Sequence, residues 1–401
     1  MNFLKPRVVV LSRNYSTGLG VIRSLGEAGY PVDLVASVKK RGSSVIASCS
    51  KYVEHSYEVL SEKIQGDEGQ DIIALLLDYA KEKDGKAVLF PADDFTTSVI
   101  DKHRYVLKDH FIMPETKLEN MSVTSLMDKS FQSNAAKAAG VLVPAEWKIS
   151  LRDHIEIPSD MVYPCFVKPL QSFSGHKTEM AACKTKDELL HHLKDMKQFY
   201  EDRDVLVQEY LQIDKEYDLS GICHDGKVII PAIIEKTCIS QHERGVTMAG
   251  ALLPADTLGE MYPRILEMLK TFRYTGMFDM ELNLCGDRLY FNEVNLRSGG
   301  PNFSYFLNGV NLPALAVKAM TGEDYSDWNT EIPVYGKSFV YEKVAWEDYI
   351  HGFITKKALK NYLKKADFTL LKYANDPKPG AHFARRIRLS AWKHRIKKVI
   401  R

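Results

Sequence analysis

The sequence lacks an apolar run long enough to cross a membrane, which takes about 20 residues in a helix. The apolar run at 8–11 is short, Arg13 ends it, and no small-residue cleavage site follows. We therefore expect neither a signal peptide nor a membrane span, and we expect a cytoplasmic protein.

Cysteine is sparse and scattered along the chain. No two of the six cysteines have the spacing of a metal site or of a redox pair. They are Cys49, Cys165, Cys183, Cys223, Cys238 and Cys285. We interpret them as buried thiols of a protein in a reducing compartment.

A strong net charge is also absent, since the chain carries only +2, but the charge is unevenly distributed. Residues 385–401 hold eight Lys/Arg and no acid. A nucleic-acid-binding protein would carry its excess on a folded face, so we expect no nucleic-acid partner. Apolar residues at helical spacing make this tail a basic amphipathic helix that could lie on anionic lipid, contact a partner, dock on its own domain or stay disordered. They are Leu389, Trp392, Ile396, Val399 and Ile400.

The first part of the chain alternates between strand and helix patterns. Buried-strand patterns occupy 7–11, 32–36 and 87–91, and helix patterns occupy 16–29 and 72–83. This rhythm predicts βαβ units and a parallel sheet. Arg23 stands where a dinucleotide-binding fingerprint requires its third glycine, which argues against an NAD site.

The carboxyl ends of the first strands are candidate substrate positions, because ligands favour that edge of a parallel sheet. Asn14, Ser16 and Thr17 follow the first strand, and Asp93 and Asp94 follow the strand at 87–91. The two aspartates are better explained as the cap of the next helix.

The strongest constellation is a predicted hairpin near residues 277–297. Glu293, Asn295 and Arg297 alternate along one strand, so they share a face, and the facing strand can bring Glu281 alongside. Carboxylate and amide oxygens that converge in this way suit Mg²⁺. Asp279 shares a face with Glu281 and could replace it as the first ligand.

Two further segments have the residue types of a nucleotide site. Lys168 ends an apolar strand and precedes the small polar loop 172–177, whose N–H groups could surround a phosphate. A helix is predicted at 122–139 and a strand at 205–209. Glu216 follows this strand, and its carboxylate could bind ribose hydroxyls. Further strands are predicted at 217–223 and 228–235, and a helix at 261–272.

Together these motifs, in this order, resemble the ATP-grasp superfamily over about residues 1–325. The resemblance implies an α/β and α+β multidomain protein with three parts: an N-terminal βαβ domain (1–121), an ATP-grasp domain (122–325, with a lid subdomain at 122–205 and a nucleotide and metal subdomain at 206–325) and a C-terminal extension (326–401). Leu296 replaces the proline that is usual in the family's metal-binding motif, and the lid loop has a single glycine.

The resemblance also implies roles for individual residues. Nucleotide binding is implied for Lys129, Lys168, Ser174, Gly175, Gln208, Glu209, Tyr210, Leu211 and Glu216. Metal ligands are implied to be Glu281, Glu293 and Asn295, and the catalytic residues Arg297 and Lys168. Lys236, Arg244 and Gly245 occupy positions where relatives place further phosphate or substrate contacts.

The implied activity is ATP-dependent ligation of a carboxylate to an amine through an acyl phosphate, as in ligases of the D-aspartate-ligase-like type that act on amino acids. The implied cofactors are ATP and Mg²⁺, or Mn²⁺ in its place. The implied partners are small molecules, with a homodimer left open. Two alternatives remain: a carboxylase-type subunit, for which the sequence contains no carrier segment, and an ATP-binding regulatory module without turnover.

Overall fold

The computed structural model describes residues 5–13, 15–40, 42, 45–61, 69–152, 154–170, 180–198, 204–243 and 245–400, without the side chains of residues 15–16 and 390–400. The strands are β1 Val8–Ser12, β2 Val32–Val38, β3 Val53–Leu60, β4 Ala87–Pro91, β5 Phe111–Ile112, β6 Glu115–Thr116, β7 Glu146–Ser150, β8 Cys165–Pro169, β9 Ala181–Cys183, β10 Asp204–Glu209, β11 Lys215–His224, β12 Lys227–Ile229, β13 Ile233–Ile239, β14 Thr247–Leu253, β15 Tyr274–Cys285, β16 Arg288–Asn295, β17 Ser338–Val340 and β18 Phe368–Thr369. The α-helices are α1 Tyr15–Glu27, α2 Gln70–Glu82, α3 Asp94–Lys102, α4 Arg104–Leu107, α5 Val123–Leu126, α6 Lys129–Ala138, α7 Lys186–Lys197, α8 Met261–Thr271, α9 Phe303–Leu307, α10 Leu312–Thr321, α11 Glu342–Ile350, α12 Lys356–Lys365 and α13 Pro377–Ile400.

The N-terminal residues form a parallel sheet, with the order β3-β2-β1-β4-β5 among the described strands. Along β1, Val8 and Val10 enter one hydrophobic core, and Val9 and Leu11 enter the core on the other face. A strand buried on both faces reads as a continuous apolar run, which explains the pattern at 7–11. The predicted βαβ architecture is confirmed, and the strand order changes direction between β1 and β4.

A small antiparallel sheet follows, with the order β7-β10-β8-β9. The single helix predicted at 122–139 is wrong, because two helices, α5 and α6, occupy this range. Asp128 separates them: it has an extended backbone, and its carboxylate accepts a hydrogen bond from the Phe131 N–H, so it caps α6.

The largest sheet has the order β16-β15-β11-β13-β14-β17-β18, with β12 paired to β11 and β6 paired to β15 in the described part of the chain. The single strand predicted at 228–235 is wrong. It is divided into β12 and β13 around Pro231, which has no N–H to donate to a strand ladder. The predicted helix at 261–272 is present as α8. The predicted hairpin near residues 277–297 is present as β15 and β16.

The last part of the chain is built into this sheet and onto the N-terminal unit. β17 pairs with β14, and β18 pairs with β17. Arg23 of α1 is fully buried, donates to Asp376 at 3.0 Å, and also donates to the carbonyl oxygens of Leu370 and Leu371 at 3.0 Å. The position that lacks the fingerprint glycine therefore anchors the C-terminal segment.

The predicted tail helix lies within α13. The first half of α13 packs on the protein's own core through Phe383 and Ile387, whereas Leu389 is exposed. Among the helices in the described ranges, none combines the length and apolar character that a bilayer span requires.

The Arg23–Asp376 pair gives a stability prediction. Asp376→Asn should lower the free energy of unfolding by about 3 kcal/mol, because it leaves a buried guanidinium without its counter-charge. Urea unfolding followed by circular dichroism measures the change. Asp327→Asn is the control, because Asp327 is an exposed aspartate. Equal stability of the two variants would contradict the prediction.

Candidate functional site

The hairpin of β15 and β16 sets two carboxylates directly against each other. In its antiparallel register Glu281 is opposite Glu293, and Asp279 is opposite Asn295. A bulge follows Glu281 on β15, so that Asn292 is the extra residue on the facing strand. Like charges that face each other across a strand pair are unfavourable unless a cation lies near them.

Two lysines from separate elements approach this hairpin. The Lys129 Nζ, at the start of α6, lies 3.1 Å from Glu293 Oε2. The Lys168 Nζ, on β8, donates to Asn292 Oδ1 at 3.4 Å. The Lys129 N–H also donates to the Leu170 carbonyl at 3.3 Å, which fixes the start of α6 against the end of β8. Both predicted lysines therefore point towards the acids.

The charges of this cluster shift its pKa values in opposite directions. Burial acts to raise the pKa of Glu293, but Lys129 and Lys168 overcome it and lower this pKa to about 2. Burial lowers the pKa of Lys168 to about 8, and the neighbouring charge of Lys129 contributes in the same direction. Burial raises the pKa of Glu281, against the opposing effect of Lys236.

The predicted metal ligands offer a suitable donor set for a divalent cation. Glu281 accepts a hydrogen bond from Asn292 Nδ2 at 3.2 Å, and the Asn295 amide lies 3.5 Å from Glu293 Oε1. Asp279, the alternative first ligand, is already engaged: it accepts from Ser220 Oγ at 2.8 Å and from Arg297 Nη1 at 3.0 Å. A divalent cation between Glu281 and Glu293 would relieve the repulsion between these facing carboxylates.

Arg297 is clamped between two parts of the molecule. Its Nε donates to Asp94 Oδ1 at 3.0 Å, and its Nη1 donates to Asp279 and to the Ser298 carbonyl at 3.1 Å. Burial acts to lower the pKa of Arg297, and the two carboxylates raise it overall. The guanidinium therefore stays charged and fixed in orientation.

The two aspartates after β4 have different roles. Asp93 caps α3 by accepting from the Thr96 N–H at 2.9 Å, and it also accepts from the Arg13 N–H at 2.7 Å. Burial raises the pKa of Asp93. The capping interpretation is thus correct for Asp93, whereas Asp94 contacts Arg297, which follows the hairpin of β15 and β16.

The predicted nucleotide-binding segment 208–211 lies at the end of β10 and just beyond it. Gln208 Nε2 donates to Glu146 at 3.1 Å, and the Glu209 N–H donates to the Ala145 carbonyl at 2.8 Å. The Tyr210 N–H donates to the Pro164 carbonyl at 3.0 Å, and the Tyr210 side chain is exposed. Leu211 continues the segment beyond the sheet.

Other candidates are only partly covered by the structure. Ser174 and Gly175 of the lid, together with Asn14 and Arg244, lie outside the described residues, as does the side chain of Ser16. Gly245 has a φ of +80° in an exposed turn. Thr17 is buried, and its carbonyl accepts from Asn302 Nδ2 at 3.5 Å.

A buried network beside the hairpin includes residues that the sequence analysis missed. The Lys236 Nζ lies 3.0 Å from Asp218, 3.2 Å from Glu216 and 3.6 Å from Glu281. Thr247 Oγ1 donates to Asp218 at 3.0 Å. Burial raises the pKa of Asp218 to about 8, although Lys236 acts to lower it.

A sequence signal for this network did exist. Glu216, Asp218 and Ser220 alternate with apolar residues along β11, which is the pattern of a strand with one polar face. Lys236 is a sequence candidate, but its pairing with Asp218 could not be predicted in this way, because the pairing depends on the register between β11 and β13.

Solved structures with a similar fold include three enzymes. The biotin carboxylase domain of Hydrogenobacter thermophilus 2-oxoglutarate carboxylase, in complex with MgADP, ADP and bicarbonate, matches with a TM-score of 0.62 and 17% identity, over 84% of this chain and 73% of that one. An L-amino acid ligase from Bacillus licheniformis matches with a TM-score of 0.60 and 14% identity, over 84% of this chain and 79% of that one. N5-carboxyaminoimidazole synthetase from Staphylococcus aureus matches with a TM-score of 0.59 and 16% identity, over 84% of this chain and 83% of that one. These similarities confirm the predicted fold.

Sequence comparison finds curated relatives over part of the chain. The carbamoyl phosphate synthase large chain of Pseudomonas syringae pv. tomato is 28% identical over 172 residues, which are 42% of this chain and 16% of that protein. The mitochondrial carbamoyl-phosphate synthase [ammonia] of Homo sapiens is 25% identical over 194 residues, 46% of this chain and 12% of that protein. The chain therefore spans less than one fifth of the length of these relatives. No protein-family model matches the sequence.

The close approach of Gly299 to Asp279 gives a prediction for the site. A Cβ on Gly299 would lie 2.1 Å from Asp279 Oδ1, so Gly299→Ala should displace Asp279 from Arg297 and Ser220. We expect a loss of about 1–3 kcal/mol in the free energy of unfolding, measured by urea titration.

Gly300→Ala is the matched control, because a Cβ there would meet nothing within 4 Å. The prediction is wrong if both alanine variants unfold at the same urea concentration.

Proposed function

We propose, from the ATP-grasp fold that this chain shares with the enzymes above, that it is an ATP-dependent enzyme that activates a carboxylate as an acyl phosphate and transfers the acyl group to an amine. The observation that carries the proposal is the convergence of Lys129 and Lys168 on the hairpin that holds Glu281 against Glu293. Two fixed cations beside two facing acids are what a polyphosphate with its metal ion requires.

In this proposal the nucleotide lies between the small sheet and the hairpin. Lys129 and Lys168 hold phosphate oxygens, the segment of Gln208, Glu209, Tyr210 and Leu211 contacts the adenine, and Glu216 binds the ribose. Ser174 and Gly175 belong to the lid that covers the phosphates. Glu281, Glu293 and Asn295 would hold Mg²⁺, which would neutralise phosphate charge. We assign Glu281 rather than Asp279 because Asp279 already holds Arg297.

The reaction then follows from positioning and charge. A carboxylate oxygen attacks the γ-phosphorus of ATP and ADP leaves, which forms the acyl phosphate. The amine nitrogen attacks the acyl carbon and loses a proton, and inorganic phosphate leaves as the amide bond forms. Arg297, fixed by Asp94 and Asp279, presents its remaining N–H groups to the substrate carboxylate or the transferred phosphoryl group.

A second candidate shares the first step and differs in the acid. The structure with the TM-score of 0.62 is a biotin carboxylase domain in complex with bicarbonate. Bicarbonate could therefore replace the organic carboxylate at Arg297, and the product would be a carboxy phosphate. The two candidates differ in which acid stimulates ADP release.

The direct test is ADP release measured with ATP, Mg²⁺ and a panel of amino acids and small carboxylic acids, each with and without an amine. We expect release that depends on one organic acid and one amine. Glu293→Gln should reduce this rate about 10²–10³-fold, because it removes a carboxylate that would hold Mg²⁺ beside the phosphates.

Glu260→Gln is the control, because the Glu260 side chain is 93% exposed on the surface. Stimulation by bicarbonate alone would replace the ligase proposal with the carboxylase candidate. Wild-type turnover by Glu293→Gln would refute the assignment of this hairpin.

The pKa of Lys168 gives a prediction of pH dependence. Burial lowers this pKa to about 8, so Lys168 loses its charge as the pH rises through this value in the free protein. Bound phosphates favour the charged form, and ADP should therefore bind more weakly above pH 8. Isothermal titration between about pH 7 and 9 should show affinity falling by up to about tenfold per pH unit. Lys168→Arg, which stays charged, should bind with an affinity that changes little over this range.

A further inference from the structure

Positive charge is concentrated in the last part of the folded chain. Residues 337–401 contain 17 Lys/Arg and five Asp/Glu, whereas the whole chain contains 54 and 52. The excess of positive charge is therefore not confined to the tail at 385–401. It extends into elements whose packing the structure describes.

Three of the five acids of this segment are turned inward and do not neutralise its surface. Glu342 accepts from the N–H groups of Leu371 and Lys372 at 2.8 and 2.9 Å. Asp348 accepts from Ser240 Oγ at 2.6 Å, and Asp376 is buried against Arg23. These three acids are all at least nine-tenths buried. Asp367 is exposed and Glu347 is partly exposed beside Lys343, so lysine and arginine still outnumber the acids at the surface of the segment.

The helix α12 separates its basic and apolar residues. At 100° per residue, its lysines fall within one half of the helix circumference. They are Lys356, Lys357, Lys360, Lys364 and Lys365, all exposed, and we call them the basic face. On the opposite half, Leu359 is buried and Tyr362 and Leu363 pack against the core. Within the described part of the chain, no lysine of the basic face forms an ion pair.

Exposed apolar side chains accompany these charges. Phe353, in the turn before α12, is 52% exposed, and Leu389, near Arg385 and Arg386 on α13, is 60% exposed. Both α12 and α13 pack against α11, so the two basic helices belong to one folded unit. Basic residues interspersed with exposed apolar ones are typical of helices that lie in a membrane interface.

We propose that the protein docks peripherally on an anionic lipid bilayer through the basic face of α12 and the basic helix α13. Clustered lysines are attracted to the negative potential of anionic lipid, and Phe353 and Leu389 would enter the boundary between headgroups and acyl chains. Nucleic acid is less suitable as a partner, because its phosphate backbone gives no apolar region for these two side chains. This inference is independent of the proposed enzymatic function.

The test is co-sedimentation of the full chain with sucrose-loaded vesicles of phosphatidylcholine, with or without about one third phosphatidylglycerol. We expect binding only to the vesicles with phosphatidylglycerol, and we expect it to weaken as the salt concentration rises from about 0.05 to 0.3 M. A variant with all five lysines of the basic face changed to Gln should partition at least about tenfold more weakly. Phe353→Ser should weaken binding without changing its salt dependence.

The matched control removes the same amount of charge elsewhere, at five exposed lysines outside the segment. They are Lys102, Lys108, Lys184, Lys186 and Lys194, each changed to Gln. This control should bind vesicles like the wild type, and circular dichroism should show that both variants are folded. Equal losses in the two variants, equal binding to neutral vesicles, or binding to duplex DNA or RNA with no binding to vesicles would each overturn the proposal.

Discussion

The repulsion between Glu281 and Glu293 is the constraint on which the candidate site depends. Their strands place the two carboxylates opposite each other, and the surrounding protein supplies positive charge from three directions. Lys129 contacts Glu293, Lys168 reaches the bulge beside it, and Lys236 approaches Glu281. Because the lysines come from different sheets and helices, the acids can be held together only in the complete fold.

Arg297 extends this arrangement to the N-terminal sheet. Asp94, at the start of α3, and Asp279, on β15, hold the same guanidinium, so the switch point between β1 and β4 lies against the hairpin of β15 and β16. A crevice at such a switch point is where open parallel sheets bind ligands. A substrate bound there would therefore face the fixed arginine.

The sequence predicted those parts of the fold and site that depend on local patterns. The buried run of β1 and the alternation of Glu293, Asn295 and Arg297 are both visible within a few residues. The Asp128 cap is also a local signal, because its carboxylate bonds to a backbone N–H three residues on. By contrast, the contacts of Lys236 with Asp218 and of Arg297 with Asp94 depend on strand register and domain packing. Periodicity carries no information about such pairings, because many registers satisfy the same alternation.

The buried pair between Arg23 and Asp376 joins residues that are separated by most of the chain. During synthesis, α1 emerges from the ribosome long before residue 376 does. Until then its guanidinium has no permanent partner, and the first sheet lacks the segment that covers this side of it. Ribosome-bound intermediates of this protein should therefore expose this side of the N-terminal unit until residue 376 has emerged, and chaperones that bind nascent chains would meet it in this incomplete state.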